Sequence, residues 1–152
     1  MKRNICYLLA IVLTMALGVG LASCSKDDED DKDAGIIVDV TVDNLVGTWQ
    51  FLSEEDYDED GHLEGNFPPS SPTYIHFDAD GTATEYERDE DEWWISASVF
   101  TLDGNKLSFA KGRYDVALLT TTRLVLKYPY PSGGWSIERY RKVSDSVITD
   151  AA

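Results

Sequence analysis

Leu45-Val46-Gly47-Thr48-Trp49-Gln50-Phe51 is the first stretch of this 152-residue chain, after a long polar lead, that can open a folded core. It couples a glycine to a tryptophan two residues on. Side chains two apart in a strand share a face, so Gly47 leaves room beside the indole of Trp49 on one side of a sheet. Such a pair suits the closed end of a barrel.

From Leu45 onward, short runs of β-branched and aromatic residues alternate with turn signals, which is the pattern of an all-β domain. Eight β-like segments fall at about 45–54, 73–78, 82–88, 93–102, 106–111, 113–119, 123–129 and 134–143. Asp78-Ala79-Asp80-Gly81, Asp103-Gly104-Asn105 and Thr120-Thr121-Thr122 separate neighbouring runs. Asp, Asn and Gly in the first two tolerate the positive φ that hairpin turns need. Hairpins in series make a meander, and closing it removes exposed edges. The expected fold is therefore an eight-stranded antiparallel up-and-down barrel over residues 45–143.

If Trp49, Phe51 and Ser53 point inward, alternation also turns inward Ile75, Phe77, Tyr86, Trp94, Phe100, Leu102, Leu107, Phe109, Val116, Leu118, Leu124, Leu126 and Tyr128. An eight-stranded interior either fills with side chains or holds one small ligand. The large residues at these positions favour a nearly filled barrel. A narrow pocket at one mouth, lined by Trp94, Tyr86 and Tyr128, is the candidate ligand site.

One connection is long. Residues 55–72 form an acidic loop that ends in Pro68-Pro69-Ser70-Ser71-Pro72, and loops of this length are usually functional or mobile. Asp56, Asp58 and Asp60 alternate before Gly61, with Glu64 eight positions after Asp56, which matches the first half of a calcium-binding loop. Phe67 stands where the bidentate glutamate belongs. Calcium is thus a weak candidate ligand, and no other metal or cofactor is expected.

The chain before the barrel reads as an address. Lys2 and Arg3 precede an uncharged apolar run, so residues 1–23 have the form of a secretory signal peptide. Leu21-Ala22-Ser23-Cys24 resembles the bacterial lipobox, which implies diacylglycerol and further acylation, such as palmitate, on Cys24. A plain signal or a membrane-spanning segment is the alternative. More than one acyl chain would hold the domain firmly on a membrane. Residues 24–44 then form an acidic tether. Its Lys26-Asp27-Asp28-Glu29 is similar to the export signal of lipoproteins in Bacteroidetes-type bacteria and implies the outer membrane, facing the cell exterior. Ile36 to Val42 is a short β-prone piece, either a spacer or a cover for the barrel, and residues 144–152 read as a flexible tail.

The formal net charge of −15 repels phosphate backbones, so nucleic acid is not an expected partner. Cys6 and Cys24 are the two cysteines. With the first removed and the second acylated, neither a disulfide nor a cysteine nucleophile is available. His62 and His76 lack a neighbouring nucleophile motif, and no phosphate loop or zinc spacing is present. Glu85, Glu87, Asp89, Glu90, Asp91 and Glu92 read as a solvated turn. No catalytic residue is expected.

Gly47-Thr48-Trp49, Tyr74-Ile75-His76-Phe77-Asp78-Ala79-Asp80-Gly81-Thr82, Leu102-Asp103-Gly104-Asn105-Lys106-Leu107 and the pair Leu118-Leu119-Thr120 with Leu124-Val125-Leu126 resemble the lipocalin-like domains of Bacteroidetes lipoproteins. The resemblance implies an eight-stranded barrel for one small, usually apolar ligand. It also implies an arginine of the last strand over the first-strand tryptophan. Arg139 and Arg141 share a face there, and Arg139 is the expected partner of Trp49 in barrel closure.

Function then has two readings. One is a non-catalytic, surface-anchored lipoprotein whose barrel binds a small apolar or amphipathic molecule. The other is a protein- or glycan-interaction module that uses the barrel as scaffold and exposes Trp93 or the acidic loop. Asp145-Ser146-Val147 is similar to a Bacteroidetes O-glycosylation acceptor.

Overall fold

Among the described residues, a single antiparallel sheet of ten strands has the same piece of chain at both of its ends. The computed structural model describes residues 35–110 and 112–151. The signal-peptide, Cys24 and export-signal readings lie outside the described residues. The strands are β1 (Gly47–Tyr57), β2 (Leu63–Phe67), β3 (Thr73–Phe77), β4 (Thr82–Asp89), β5 (Glu92–Val99), β6 (Thr101–Asp103), β7 (Lys106–Phe109), β8 (Gly112–Leu119), β9 (Arg123–Pro129) and β10 (Trp135–Val143). Their order is β5-β4-β3-β1-β10-β9-β8-β7-β6, with β2 paired to β1 off this path.

β5 and β6 are separated only by Phe100, so one bent strand pairs with β4 in its first half and with β7 in its second. That exchange of partners closes the meander into a barrel. Counting β5 and β6 as one strand and setting β2 aside leaves the eight strands expected. Ser98 stitches the join, since its Oγ accepts from the Ala110 N–H at 3.0 Å.

One end is plugged. A single helical turn, α1 (Val42–Leu45), is N-capped by Thr41, whose hydroxyl accepts from the Asn44 N–H. It places Leu45 over the barrel floor, fully buried beside Trp49, Phe77, Leu107, Leu124 and Leu126. The indole N–H of Trp49 donates to the Leu45 carbonyl at 2.7 Å, so the buried polar atom is satisfied. Phe77 meets Phe100 and Phe109 edge-on, at 5.2 and 5.5 Å between ring centres.

Closure of this end differs from expectation. Trp49 is opposite Lys142 in the β1–β10 register, and the Lys142 ammonium lies 5.0 Å from the indole centre while donating to the Val46 carbonyl. Arg139 is turned outward, where it donates to Glu55 at 2.8 Å. The reason is parity. Tyr140 is buried, so Lys142 shares its inward face and Arg139 and Arg141 cannot. Gly47 is fitted to this cap, because its φ is 119° and a Cβ there would lie 2.9 Å from Lys142 Cε.

The folded part extends past residues 45–143 on both sides. Val38 donates its N–H to the Leu119 carbonyl, Ile37 bridges Thr120, and Val38, Val40 and Val42 pack on the core. The piece expected as tether or cover is a cover from there on. Where a flexible tail is expected, Asp145–Ala151 winds into a 3-10 helix with Ile148 buried. Thr48 points outward but is fully buried beneath it, donating to Asp145 at 2.6 Å and contacting His76 Nδ1 at 2.8 Å. The expected loop 55–72 is also partly strand. β1 runs on to Tyr57, and β2 pairs back along it.

Candidate functional site

Above the apolar floor the inward parity of β1 changes. Its ladder with β10 shifts between Phe51 and Ser53, so Phe51 stands opposite Tyr140, Glu54 opposite Glu138 and Asp56 opposite Ser136. A bulge of this kind adds one residue to one strand and re-aims the side chains beyond it. Ser53, expected inside, goes out with Glu55, and Glu54 goes in. A second shift in β8, between Val116 and Leu118, buries Leu119 where Leu118 is expected.

The result is a polar mouth. A cleft of 340 Å³ is lined by Glu54, Tyr114, Tyr128, Tyr130, Ser136 and Glu138, with Ala110 and Gly112 at its edge. Phe109 and Tyr114 stack at 4.9 Å, and the rings continue through Tyr128 and Tyr130 at 5.5 and 5.7 Å. Aromatic faces thus rise from the floor to the rim. Tyr130 donates its hydroxyl to Asp56 at 2.6 Å and Tyr140 donates to Glu138 at 2.7 Å. The Ser136 Oγ is buried and forms no hydrogen bond with the described residues.

Burial pushes the Glu138 carboxyl up to about 7, and the charges of Glu54 and Glu85 add to the rise while the Tyr140 hydroxyl opposes it. Burial also raises the Tyr114 and Tyr140 hydroxyls, with Glu138 as the main neighbouring charge. Burial raises Tyr130 as well; its bond to Asp56 adds to this, and the neighbouring Ser136 hydroxyl works the other way. These groups face one low-dielectric space, and each carboxylate makes ionisation of the next more costly.

A second cleft of 260 Å³ lies at the β3–β4–β5 side of the mouth, with Thr73, Glu85, Glu87, Trp94 and Ser96 on its wall and Tyr86 and Ile95 at its rim. Glu85 is the register partner of buried Ile75, so it faces inward, and burial raises its carboxyl. The expected solvated turn over 85–92 is therefore shorter. β4 and β5 pair as far as Asp89 and Glu92, leaving Glu90 and Asp91 as the turn.

The expected site of Trp94, Tyr86 and Tyr128 is not one site. Tyr128 lines the first cleft, whereas Trp94 lines the second and remains 66% exposed. Tyr86 is on the outer face, because Glu85 takes the inward position beside it; its ring meets Trp93, which also contacts Tyr74 and lies under Arg88. So Trp93 is half-buried in an outer aromatic cluster, and Trp94 is the solvent-facing member of the pair. The groove of 490 Å³ between Thr101, Lys106, Arg113 and Asp115 lies on the outer face, and its Lys106 is paired with Asp115.

The weak calcium set is also divided. Asp56 turns into the mouth toward Tyr130, Glu64 belongs to β2, and the acidic group that converges is Asp58, Asp60 and His62. Asp58 accepts from the backbone N–H groups of Asp60 and His62 at 3.0 and 2.7 Å, and the His62 bond holds its carboxyl below the usual range. That carboxylate closes the β1–β2 turn. It is committed to the chain's own donors.

Glu54, Glu138, Ser136, Tyr114 and Tyr130 are the site residues that pattern-reading misses. Ser136, Glu138 and Tyr140 do alternate in the sequence, and taking Tyr140 rather than Arg139 as the inward residue would have found the first two. No residue near Leu52 announces the bulge that delivers Glu54.

The lipocalin-like domain family matches residues 45–126, more than half of the chain. No curated protein matches the sequence. The match begins at the plug residue Leu45 and runs through the strand-closing Phe100 to Leu126 of β9, and on that footing the chain belongs to the lipocalin-like domain family.

Proposed function

We propose that this protein is a non-catalytic binding protein whose barrel mouth holds one small amphipathic molecule, and that acyl chains on Cys24 anchor it to the outer membrane, facing the cell exterior. The observation that carries the binding reading is the split interior. The closed half is packed with apolar side chains, and the open half keeps clefts of 340 and 260 Å³ walled by aromatic rings. Spaces of this order suit small ligands with a few placed polar groups. The lipocalin-like fold supports a ligand-binding role.

Native mass spectrometry of protein purified from its own host tests the reading. A co-purifying small molecule is the expected result, lost in a Tyr128→Ala variant of unchanged secondary structure. A bare mass, together with no response to an apolar fluorophore, would turn the reading toward the interaction module. The exposed Trp94 and the outer cluster of Trp93, Tyr74 and Tyr86 favour that second reading.

The anchoring reading rests on the lipobox-like Leu21-Ala22-Ser23-Cys24 and on the acidic Lys26-Asp27-Asp28-Glu29 just after it. Labelled palmitate should enter the wild type and not Cys24→Ala. Protease added to intact cells should remove the domain, and removal only after permeabilisation would place it inside.

A further inference from the structure

We propose that the mouth selects a cation: the 340 Å³ cleft takes the protonated amine end of an amphiphile between Glu54 and Glu138, with the apolar part along the tyrosine rings. The proposal deepens the small-molecule reading and rests on it.

Acceptors outnumber donors in the mouth. Tyr130 and Tyr140 spend their hydroxyl protons on Asp56 and Glu138. Among the described residues, no lysine or arginine lines either cleft of the mouth. Cations of β10 and its neighbour β9 are turned elsewhere, Arg139 to Glu55, Arg141 to Gln50, Lys127 over Trp135 and Lys142 over Trp49 at the closed end. Among the described residues, the charged groups of this cleft are the carboxyls of Glu54 and Glu138, beside the hydroxyls of Tyr114, Tyr128, Tyr130 and Ser136. A guest carboxylate would meet acceptors with few donors, whereas an ammonium brings three donors and no acceptor.

A buried hydroxyl points the same way. Ser136 is 1% exposed and lines the cleft beside Tyr130, and its Oγ forms no hydrogen bond with the described residues. A buried polar atom without a partner destabilises the fold, and an N–H from a guest would satisfy it. Ser136 stands directly opposite Asp56 and two residues from Glu138, so one guest nitrogen can reach the hydroxyl and a carboxylate together.

Repulsion within the mouth adds to the pull on a cation. Glu54 and Glu138 are direct cross-strand partners on the inward face, and like charges so placed destabilise a sheet. Glu85 adds its charge from β4, and Asp56 sits two register pairs above on β1. A cation between Glu54 and Glu138 relieves what the empty mouth must bear. The tyrosine faces contribute a cation–π surface, and the net charge of −15 raises the local concentration of cations.

The test uses octylammonium, octanol and octanoate, which share one tail and differ in the head group, titrated by calorimetry at pH 8 into the intact domain. Octylammonium should bind about tenfold or more tighter than octanol, as expected for a hydrogen bond to a charged group, and octanoate should bind weakest. Glu54→Gln with Glu138→Gln should bring octylammonium down to the level of octanol while octanol binding persists, which shows that the cleft still folds. Ser136→Ala should weaken octylammonium more than octanol. Equal binding of octylammonium and octanol, or tighter binding of octanoate, would overturn the charge assignment and leave the small-molecule reading standing. An unchanged preference in the double variant would overturn the assignment to these two residues. Failure of all three probes to bind would overturn both readings.

Discussion

The two ends of the barrel are built from the same sheet and obey opposite chemistry. At the closed end Trp49 is packed in a cluster of buried apolar side chains, and Lys142 lies over the indole and donates to a backbone carbonyl. At the open end the inward residues are mainly Glu, Asp, Tyr and Ser, with Trp94 at one side, and the Ser136 hydroxyl forms no hydrogen bond with the described residues. The floor gains from burial, and the mouth carries the cost of carboxyls turned inward. Stability is thus assigned to one end of the barrel.

The contrast is broken most severely at Trp49. Trp49→Ala should cost about 3–5 kcal/mol, the range for large aromatic deletions in a packed core, and urea denaturation with a shifted midpoint and unchanged slope would show it. A cost below about 1 kcal/mol would mean that the floor is not the stabilising half.

The mouth should answer with the reverse sign. The folded-state carboxyl of Glu138 titrates at about 7 against a reference of 4.5. Between those values the folded state binds more protons than the unfolded state, so stability falls as pH rises through the window. Glu138→Gln should remove that fall, gaining up to about 3 kcal/mol over the wild type at pH 8 and little at pH 4. Urea midpoints for both proteins across pH 4–8 decide it. A gap between them that does not widen with pH would show that Glu138 is not held in a low-dielectric site.

These two residues are not equally legible in the sequence. Trp49 is marked by Gly47 and by the apolar alternation around it, and alternation is what strand prediction reads. The eight β segments are legible for the same reason. Glu138 sits in a strand with charged residues on both faces, Glu138 and Lys142 on one and Arg139 and Arg141 on the other, so the pattern does not say which set is inside. Taking Arg139 as the inward residue inverts it. Glu54 depends on a bulge that has no local signature, and β2 is exposed on most of its residues, so no apolar face announces it.

Finer changes probe the floor alone. Gly47→Ala must hold a positive φ of 119° and displace Lys142; a loss of about 1–3 kcal/mol is expected, readable as a lower thermal midpoint. Smaller still is the difference between Lys142→Met and Arg139→Met. The first removes a cation–π contact of about 1 kcal/mol. The second breaks a half-exposed pair with Glu55 and should cost less than about 1 kcal/mol. If Arg139→Met is the more damaging in parallel denaturation curves, Lys142 is not the residue that closes the barrel.

The bulge at Leu52 makes β1 a strand read in two frames. Below it the odd positions, Trp49 and Phe51, address the interior; above it the even positions, Glu54 and Asp56, do so. The two frames share no residue, so the chain can rewrite the letters at 54 and 56 without editing those that hold the plug. A barrel of this construction can change the chemistry of its mouth while its foundation stays the same.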